Sequence, residues 1–276
     1  PTASCTTTSS VSLRRWLARQ AEAEAARSGP GNMAGMDPVD LLVFGPHPDD
    51  IEIGMGATVA LHAASGARVG LCDLTAGEMG SNGSVEERLA EGEAARAVLG
   101  AAWRVNLRWP DRGIGVTPEH IRDAAGLIRR AKPAVVAIPY WTDRHPDHVS
   151  ASQVLTEAVF NAGLRRYDAD GTSWKAQSVY YFINDLVAPS FVVDVSAHYE
   201  TKRRALACYG TQFTTAATGS VDTRLTSPRF QQLIESRDAQ FGALANVAWA
   251  EGFVTRSPVV RDGLLPAAPA TGAVRA

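Results

Sequence analysis

The sequence predicts an α/β fold: one domain with a mostly parallel sheet and helices on both faces. Three observations carry this. Short apolar runs recur from Leu41 onward, each bounded by turn residues. Segments with helical periodicity, caps and glycine stops lie between them. The alternation continues to about residue 260, as expected of one domain over 37–262. A chain of 276 residues is also too long for a disulfide-stapled miniprotein.

The elements follow in order. LLVFG (41–45) is an apolar run suited to a strand buried on both faces. GMGATVALHAASG (54–66) has a helical pattern with a glycine stop. RVGLCDLT (68–75) is a second strand. SVEERLAEGEAARAVLG (84–100) is a helix with Ser84 as cap, Glu87 three residues on, and Gly100 as stop. WRVNLRW (103–109) is a third strand. TPEHIRDAAGLIRRAKP (117–133) is a helix with Thr117 as cap, Pro118 at its first position and a basic last turn. AVVAIPY (134–140) is a fourth strand, and HVSASQVLTEAVFNAG (148–163) a fourth helix. SVYYFI (178–183) and FVVDVS (191–196) add strands, and the rest reads as helical.

Composition narrows the function. Hydrophobic residues at 45% and charged residues at 20% are globular values. Lys+Arg 27 against Asp+Glu 29 gives a net charge of −2, with no overall basic footprint for nucleic acid or an anionic membrane. Cys5, Cys72 and Cys208 form neither a disulfide framework nor a zinc knuckle. No run approaches the roughly 18 apolar residues of a membrane helix. The expected setting is cytoplasmic. Residues 1–36 read as a disordered or helical extension, and 263–276 as a flexible tail. The dinucleotide fingerprint GxGxxG is absent after the first strand.

Open parallel sheets bind ligands at the carboxyl ends of their strands. Two histidine-aspartate clusters stand there: His47-Pro48-Asp49-Asp50 after LLVFG, and His145-Pro146-Asp147-His148 after AVVAIPY. Two imidazoles and one carboxylate are a common catalytic zinc set with one open position. His47, Asp50 and His148 can supply it. Asp49 is then left as a base, His145 as a cation opposite, and Asp147 as a carboxylate able to orient a histidine. A single His or Asp at a helix start ordinarily caps or is solvated. Two such clusters at two strand ends favour a metal site.

These motifs carry a resemblance. GPHPDDIEIGMGAT and DRHPDH resemble the LmbE-like (PIG-L) zinc-dependent N-deacetylases, which act on N-acetylglucosamine conjugates. LCDLTAGEMGSNGSVEERLAEGEAARAVLG, NLRWPDRGI, IPYWTDRHPDH, TQF (211–213) and AEGF (250–253) look like the bacillithiol-biosynthesis branch, over roughly residues 39–260. That branch deacetylates N-acetylglucosaminyl-malate. The resemblance implies a Rossmann-like α/β fold with one zinc per chain at the strand ends, held by His47, Asp50 and His148, although the ligand set also accepts iron(II), cobalt or manganese. It implies that Asp49 is the general base and passes its proton to the leaving amine. His145, held by Asp147, would stabilise the tetrahedral intermediate as an imidazolium. Arg88 would meet sugar hydroxyls, where a helical arginine in an alternating-charge segment is ordinarily solvated. Relatives are often hexameric, so a homo-oligomer is expected.

Other substrate contacts are read from the residues. Arg112 in PDRG can pair with a malate carboxylate. Glu78, Ser81 and Asn82 lie in a Gly-rich loop able to form a sugar rim. Arg144 reads as structural, and His62, His120 and His198 as surface or packing residues. Trp109 and Trp141 flank the expected mouth, where packing is the commoner use of an aromatic. Phe230 replaces a tyrosine of some relatives and so lacks a hydroxyl. Residues 214–230 form a candidate mobile lid. The main reading is a malate-conjugate deacetylase. The alternatives are a deacetylase or S-conjugate amidase acting on a mycothiol-type conjugate, a chitobiose deacetylase, and a non-catalytic sugar- or metal-binding relative.

Overall fold

A computed structural model of the chain describes residues 36–215 and 219–260. The expected extension (apart from Met36), the expected tail and part of the candidate lid lie outside the described residues. In chain order the elements are β1 (Leu41–Gly45), α1 (Asp50–Ala64), β2 (Val69–Thr75), α2 (Val85–Leu99), β3 (Trp103–Trp109), α3 (Pro118–Ala131), β4 (Val135–Pro139) and α4 (Pro146–Ala162). They continue as β5 (Ser178–Phe182), β6 (Phe191–Asp194), α5 (Tyr199–Leu206), α6 (Gly210–Phe213), α7 (Pro228–Ala245) and β7 (Ala250–Val254).

The seven strands form one sheet in the order β3-β2-β1-β4-β5-β7-β6. The first five pair in parallel, and β7 runs antiparallel to both β5 and β6. Alternation along β1 divides the core between the two faces. Leu42 and Phe44 join a cluster with Leu127 and Ile128 of α3 and Val154 and Leu155 of α4. Leu41 and Val43 join another with Val59 of α1, Leu99 of α2 and Ile234 of α7. Every residue of β1 and β2 is buried, as the apolar runs require.

Local capping chemistry sets the helix ends. The Ser84 side chain accepts from Glu87 N, the Glu87 side chain accepts from Ser84 N, and Gly100 closes α2 at φ 75°. Thr117 caps α3, with Pro118 at its first position. Two elements depart from expectation. Helix α1 starts at Asp50 rather than Gly54, so its first turn belongs to the HPDD cluster. The segment AEGFV is strand β7, where helix was expected. Its central Glu251 and Gly252 break the apolar pattern, and its partners β5 and β6 lie far earlier in the chain.

The strand order reverses direction at β1, whose two neighbours are β2 and β4. A crevice opens at such a switch point, outside the carboxyl ends of the two strands. Both histidine-aspartate clusters stand there. Among the described residues, no helix is long and apolar enough to cross a membrane.

Candidate active site

The turn after β1 is tight and strained. Pro46 O accepts from the N–H and the hydroxyl of Thr75, tying the turn to the end of β2. His47 N donates to Asp50 Oδ2 at 3.0 Å, closing the turn on itself. Asp49 sits at φ 116°, a conformation that costs a non-glycine residue about 1–3 kcal/mol. Gly45 has to lack a side chain, because a Cβ there would lie 2.8 Å from Ile51 Cγ1.

The turn after β4 is built by a cap. His145 is the N-cap of α4, Pro146 follows, and His145 Nδ1 accepts from Asp147 N at 3.3 Å. Asp143 holds the cluster from behind. Its Oδ1 accepts from His145 N at 2.7 Å, and its Oδ2 lies 2.9 Å from His148 Nδ1.

The two turns meet at one oxygen. Asp50 Oδ2 lies 3.1 Å from His47 Nδ1 and 3.1 Å from His148 Nε2. The far nitrogen of each ring faces carboxylate. His148 Nδ1 meets Asp143, while His47 Nε2 meets Asp111 Oδ1 at 3.2 Å and Asp147 Oδ2 at 3.3 Å. A ring that donates its outer N–H to a carboxylate turns a lone pair inward. Three inward lone pairs repel unless protons or a cation lie between them. Donor atoms bound at about 2.0–2.1 Å to a tetrahedral ion sit about 3.3 Å apart, and the two edges at Asp50 Oδ2 match that spacing. His47, His145 and His148 also offer ring nitrogens within 4.8 Å of one another, as do His47, Asp111 and Asp147 with their donor atoms. Without the ion, the surrounding carboxylates outweigh burial and raise both imidazoles, His148 to about 9 and His47 well above its ordinary value. Burial opposes the charged form of Asp50 too, but His148 and His47 hold its carboxyl well below the usual range.

Asp49 is buried beside these atoms. Burial pushes its carboxyl up to about 7, with Asp50 adding to the rise and Arg88 opposing it. Arg88 is itself buried. It donates to Gly77 O at 3.1 Å, to Pro48 O at 2.7 Å and to Asp49 Oδ2 at 3.2 Å. Its guanidinium therefore braces Asp49, and Arg88 also lines the cleft. Arg88 Nε is the part left without a partner.

His145 lines the cleft, with its ring centroid 4.9 Å from those of both His47 and His148. Burial and the two neighbouring imidazoles lower its pKa. The expectation that the Asp147 side chain holds His145 needs correction. Asp147 reaches His145 through its main-chain N–H, and its carboxylate faces His47 Nε2 and Arg112 instead. The cause is the cap: with His145 at the N-cap, the Asp147 side chain projects from the first turn of α4 toward β1 and the loop after β3.

The expected substrate contacts fare differently. Arg112 lines the cleft, but Nη1 donates to Asp147 Oδ1 at 2.8 Å and its main-chain N donates to Asp147 Oδ2 at 2.9 Å. Glu78 does not line the cleft, and accepts from Asp111 N at 2.7 Å. Asn82 does not line it either. Its side chain donates to Val221 O and accepts from Val221 N, both at 2.9 Å. Asn82 thus latches the 219–226 stretch of the candidate lid, while Ser81, Arg144, Thr223, Arg224 and Phe230 do line the cleft. Trp109 stacks on His120 and Trp141 packs against Tyr140 and Tyr181, so both tryptophans serve packing.

Sequence reasoning missed Asp111, Asp143 and Asn184. Both Asp111 and Asp143 lie inside quoted motifs, PDRG and DRHPDH, but only Asp143 stands beside histidines in the sequence, whereas Asp111 meets His47 across 64 residues. Asn184 Nδ2 lies 3.4 Å from Asp50 Oδ1, and no local pattern announced it. The cleft these residues enclose measures about 270 Å³.

Comparison with known proteins places the chain among relatives. A family model described as PIG-L, GlcNAc-PI de-N-acetylase, matches residues 42–159. The chain is 32% identical over 190 residues to a diacetylchitobiose deacetylase of Thermococcus kodakarensis, covering 63% of this chain and 70% of that one. It is 28% identical over 245 residues to a 1D-myo-inositol 2-acetamido-2-deoxy-alpha-D-glucopyranoside deacetylase of Rhodococcus opacus, covering 65% of this chain and 84% of that one. A solved structure of a conserved Thermus thermophilus protein superposes with a TM-score of 0.76 at 37% identity, covering 83% of this chain and 100% of that one. The matched span contains both histidine-aspartate clusters, and the chain belongs to the PIG-L family of de-N-acetylases.

Proposed function

We propose that this chain is a metal-dependent hydrolase that removes the acetyl group from an N-acetylglucosamine conjugate. The observation that carries this is the meeting of His47 Nδ1 and His148 Nε2 at Asp50 Oδ2, each 3.1 Å away, beside the buried carboxylate of Asp49. His47, Asp50 and His148 would hold one zinc, which when bound supplies a Lewis acid and lowers the pKa of water.

The chain's own residues then divide the work. Asp49 takes a proton from the water that attacks the acetamide carbonyl. An amide nitrogen leaves poorly until it is protonated, so the same carboxyl returns that proton to it as the C–N bond breaks. Acetate and a free amine result. His145 has Nδ1 occupied as an acceptor, so its Nε2–H is the donor for the oxyanion. Asp111, Asp143 and Asp147 keep the ligand rings turned inward.

The relatives favour diacetylchitobiose or an inositol glycoside over the malate glycoside as the conjugate. Arg112, the expected partner of a malate carboxylate, is already committed to Asp147. Arg112→Ala should therefore depress turnover of every substrate alike. The homo-oligomer implied by the family resemblance belongs to this proposal and is read by sedimentation.

The test is acetate release from the three conjugates side by side, with Asp49→Asn as the variant. Asp49→Asn should keep its metal and lose about 10²–10⁴-fold in kcat. Undiminished turnover would remove Asp49 from its role, and no acetate from any conjugate would remove the reading.

A further inference from the structure

Helix α1, whose first turn carries Asp50, is broken at Met55, where φ is −150° and ψ 26°. In a continuous helix Ala57 N would bond Ile53 O, and Thr58 N would bond Gly54 O. Neither bond is needed here, because side chains from the far end of the sequence fill the break. Ala57 N donates to Glu251 Oε1 at 3.1 Å, and Thr58 N to Glu251 Oε2 at 2.7 Å. Ile53 O accepts from Arg237 Nη2 at 2.6 Å.

These side chains belong to one buried network. Lys202 Nζ lies 2.7 Å from both Glu251 Oε1 and Asp238 Oδ2. Arg237 Nε donates to Asp238 Oδ1 at 2.9 Å. Lys202, Asp238 and Glu251 have no exposed surface and Arg237 is 2% exposed, so two cations and two carboxylates balance away from water. Such a network is a poor source of stability, since apolar side chains of the same volume avoid its desolvation cost. A continuous helix would also satisfy the same backbone groups unaided.

What the network does uniquely is separate the first turn of α1 from the rest of the helix. Ile53 is the hinge point: its carbonyl is held by Arg237, and its N–H bonds Asp49 O at 2.9 Å. Gly54 lies so close to Phe182 and Asn184 that a Cβ would collide with both, and Asn184 in turn reaches Asp50. None of the four charged residues lines the cleft. We infer that Glu251, Lys202, Asp238 and Arg237 are positioning residues that hold α1 broken so that its first turn presents Asp49 and Asp50 to the metal site. The inference rests on the reading of Asp50 as a metal ligand.

Glu251→Gln tests it, because it keeps the shape but removes one acceptor and the charge. Zinc affinity is measured by chelator competition, and kcat and KM on the same preparation, using protein whose near-ultraviolet circular dichroism matches the parent. The expected result is a zinc dissociation constant raised about 10–100-fold, the range for partners that orient a ligand, with kcat reduced and KM nearly unchanged. A merely structural role would lower the melting temperature and leave the zinc affinity of the folded protein intact, and that outcome overturns the inference. If Glu251→Gln does not fold, Arg237→Lys is read by the same criteria, since it keeps the charge but loses the bond to Ile53 O. Absence of zinc binding by the parent protein would overturn the metal reading and this inference together. Tight binding by parent and variants alike would overturn this inference alone.

Discussion

The guanidinium of Arg88 stands 3.2 Å from the carboxylate of Asp49, with both side chains 5% exposed. The same group holds the carbonyls of Pro48 and Gly77. One arginine from α2 thus fixes both the side chain of Asp49 and the strained main chain beside it. The positive φ of Asp49 persists because its surroundings leave it no alternative.

Removing that brace should be costly. Arg88→Met removes the cation that opposes the rise of the Asp49 carboxyl and leaves the carbonyls of Pro48 and Gly77 without their donor, and should lower unfolding stability by about 1–3 kcal/mol. It should also lower kcat by at least about 10²-fold, because the base loses its fixed position. Arg88→Lys keeps the charge but cannot make all three bonds, so it should recover only part of either loss. Urea unfolding and steady-state kinetics read the two effects. Wild-type kcat in Arg88→Met would show that the brace is not needed for turnover.

Asp143 should control metal affinity without touching the metal position. Its two oxygens hold His145 N and His148 Nδ1. Asp143→Ala frees the His148 ring to turn, and zinc affinity should fall about 10–100-fold. Isothermal titration in the presence of a competing chelator measures this, and an unchanged affinity would place the orientation of His148 elsewhere.

Much of the scaffold was legible because its signals are local. β1 and β3 have the bounds their apolar runs suggest, and Ser84, Glu87 and Gly100 form the expected caps. The convergence of His47, Asp50 and His148 was legible as well, since two similar clusters ended two strands that the topology makes neighbours. What escaped depends on distant partners. Arg88 lies in a segment of alternating charge, yet it is buried against a turn 40 residues earlier. Lys202 sits in no motif and no local pattern marks it, yet it is buried between two carboxylates. Strand β7 was hidden for the same reason, because its Glu251 is the residue that meets that lysine.

Asn82 should act on substrate binding through the loop it latches. Its two hydrogen bonds to Val221 contribute about 0.5–1.5 kcal/mol each. Asn82→Ala should speed amide exchange at Val221 and raise KM several-fold, with zinc affinity unchanged. Unaltered exchange at Val221 would mean that other contacts hold the loop.

Ser84 provides a control remote from the chemistry. Ser84→Ala removes half of the capping box of α2 and should cost about 1 kcal/mol. A domain of this size should then melt about 2–4 °C lower. Turnover at 25 °C should be unaffected, and a large loss of kcat would show that the start of α2 influences the site.

Two separate turns that share one divalent ion should lose it together, and metal analysis of purified protein reads this. Elemental analysis of the parent chain beside His47→Ala, Asp50→Ala and His148→Ala should find one zinc per chain in the parent and almost none in each variant. A parent that binds no divalent metal, or variants that bind it as well as the parent, would show that the two turns hold no common ion.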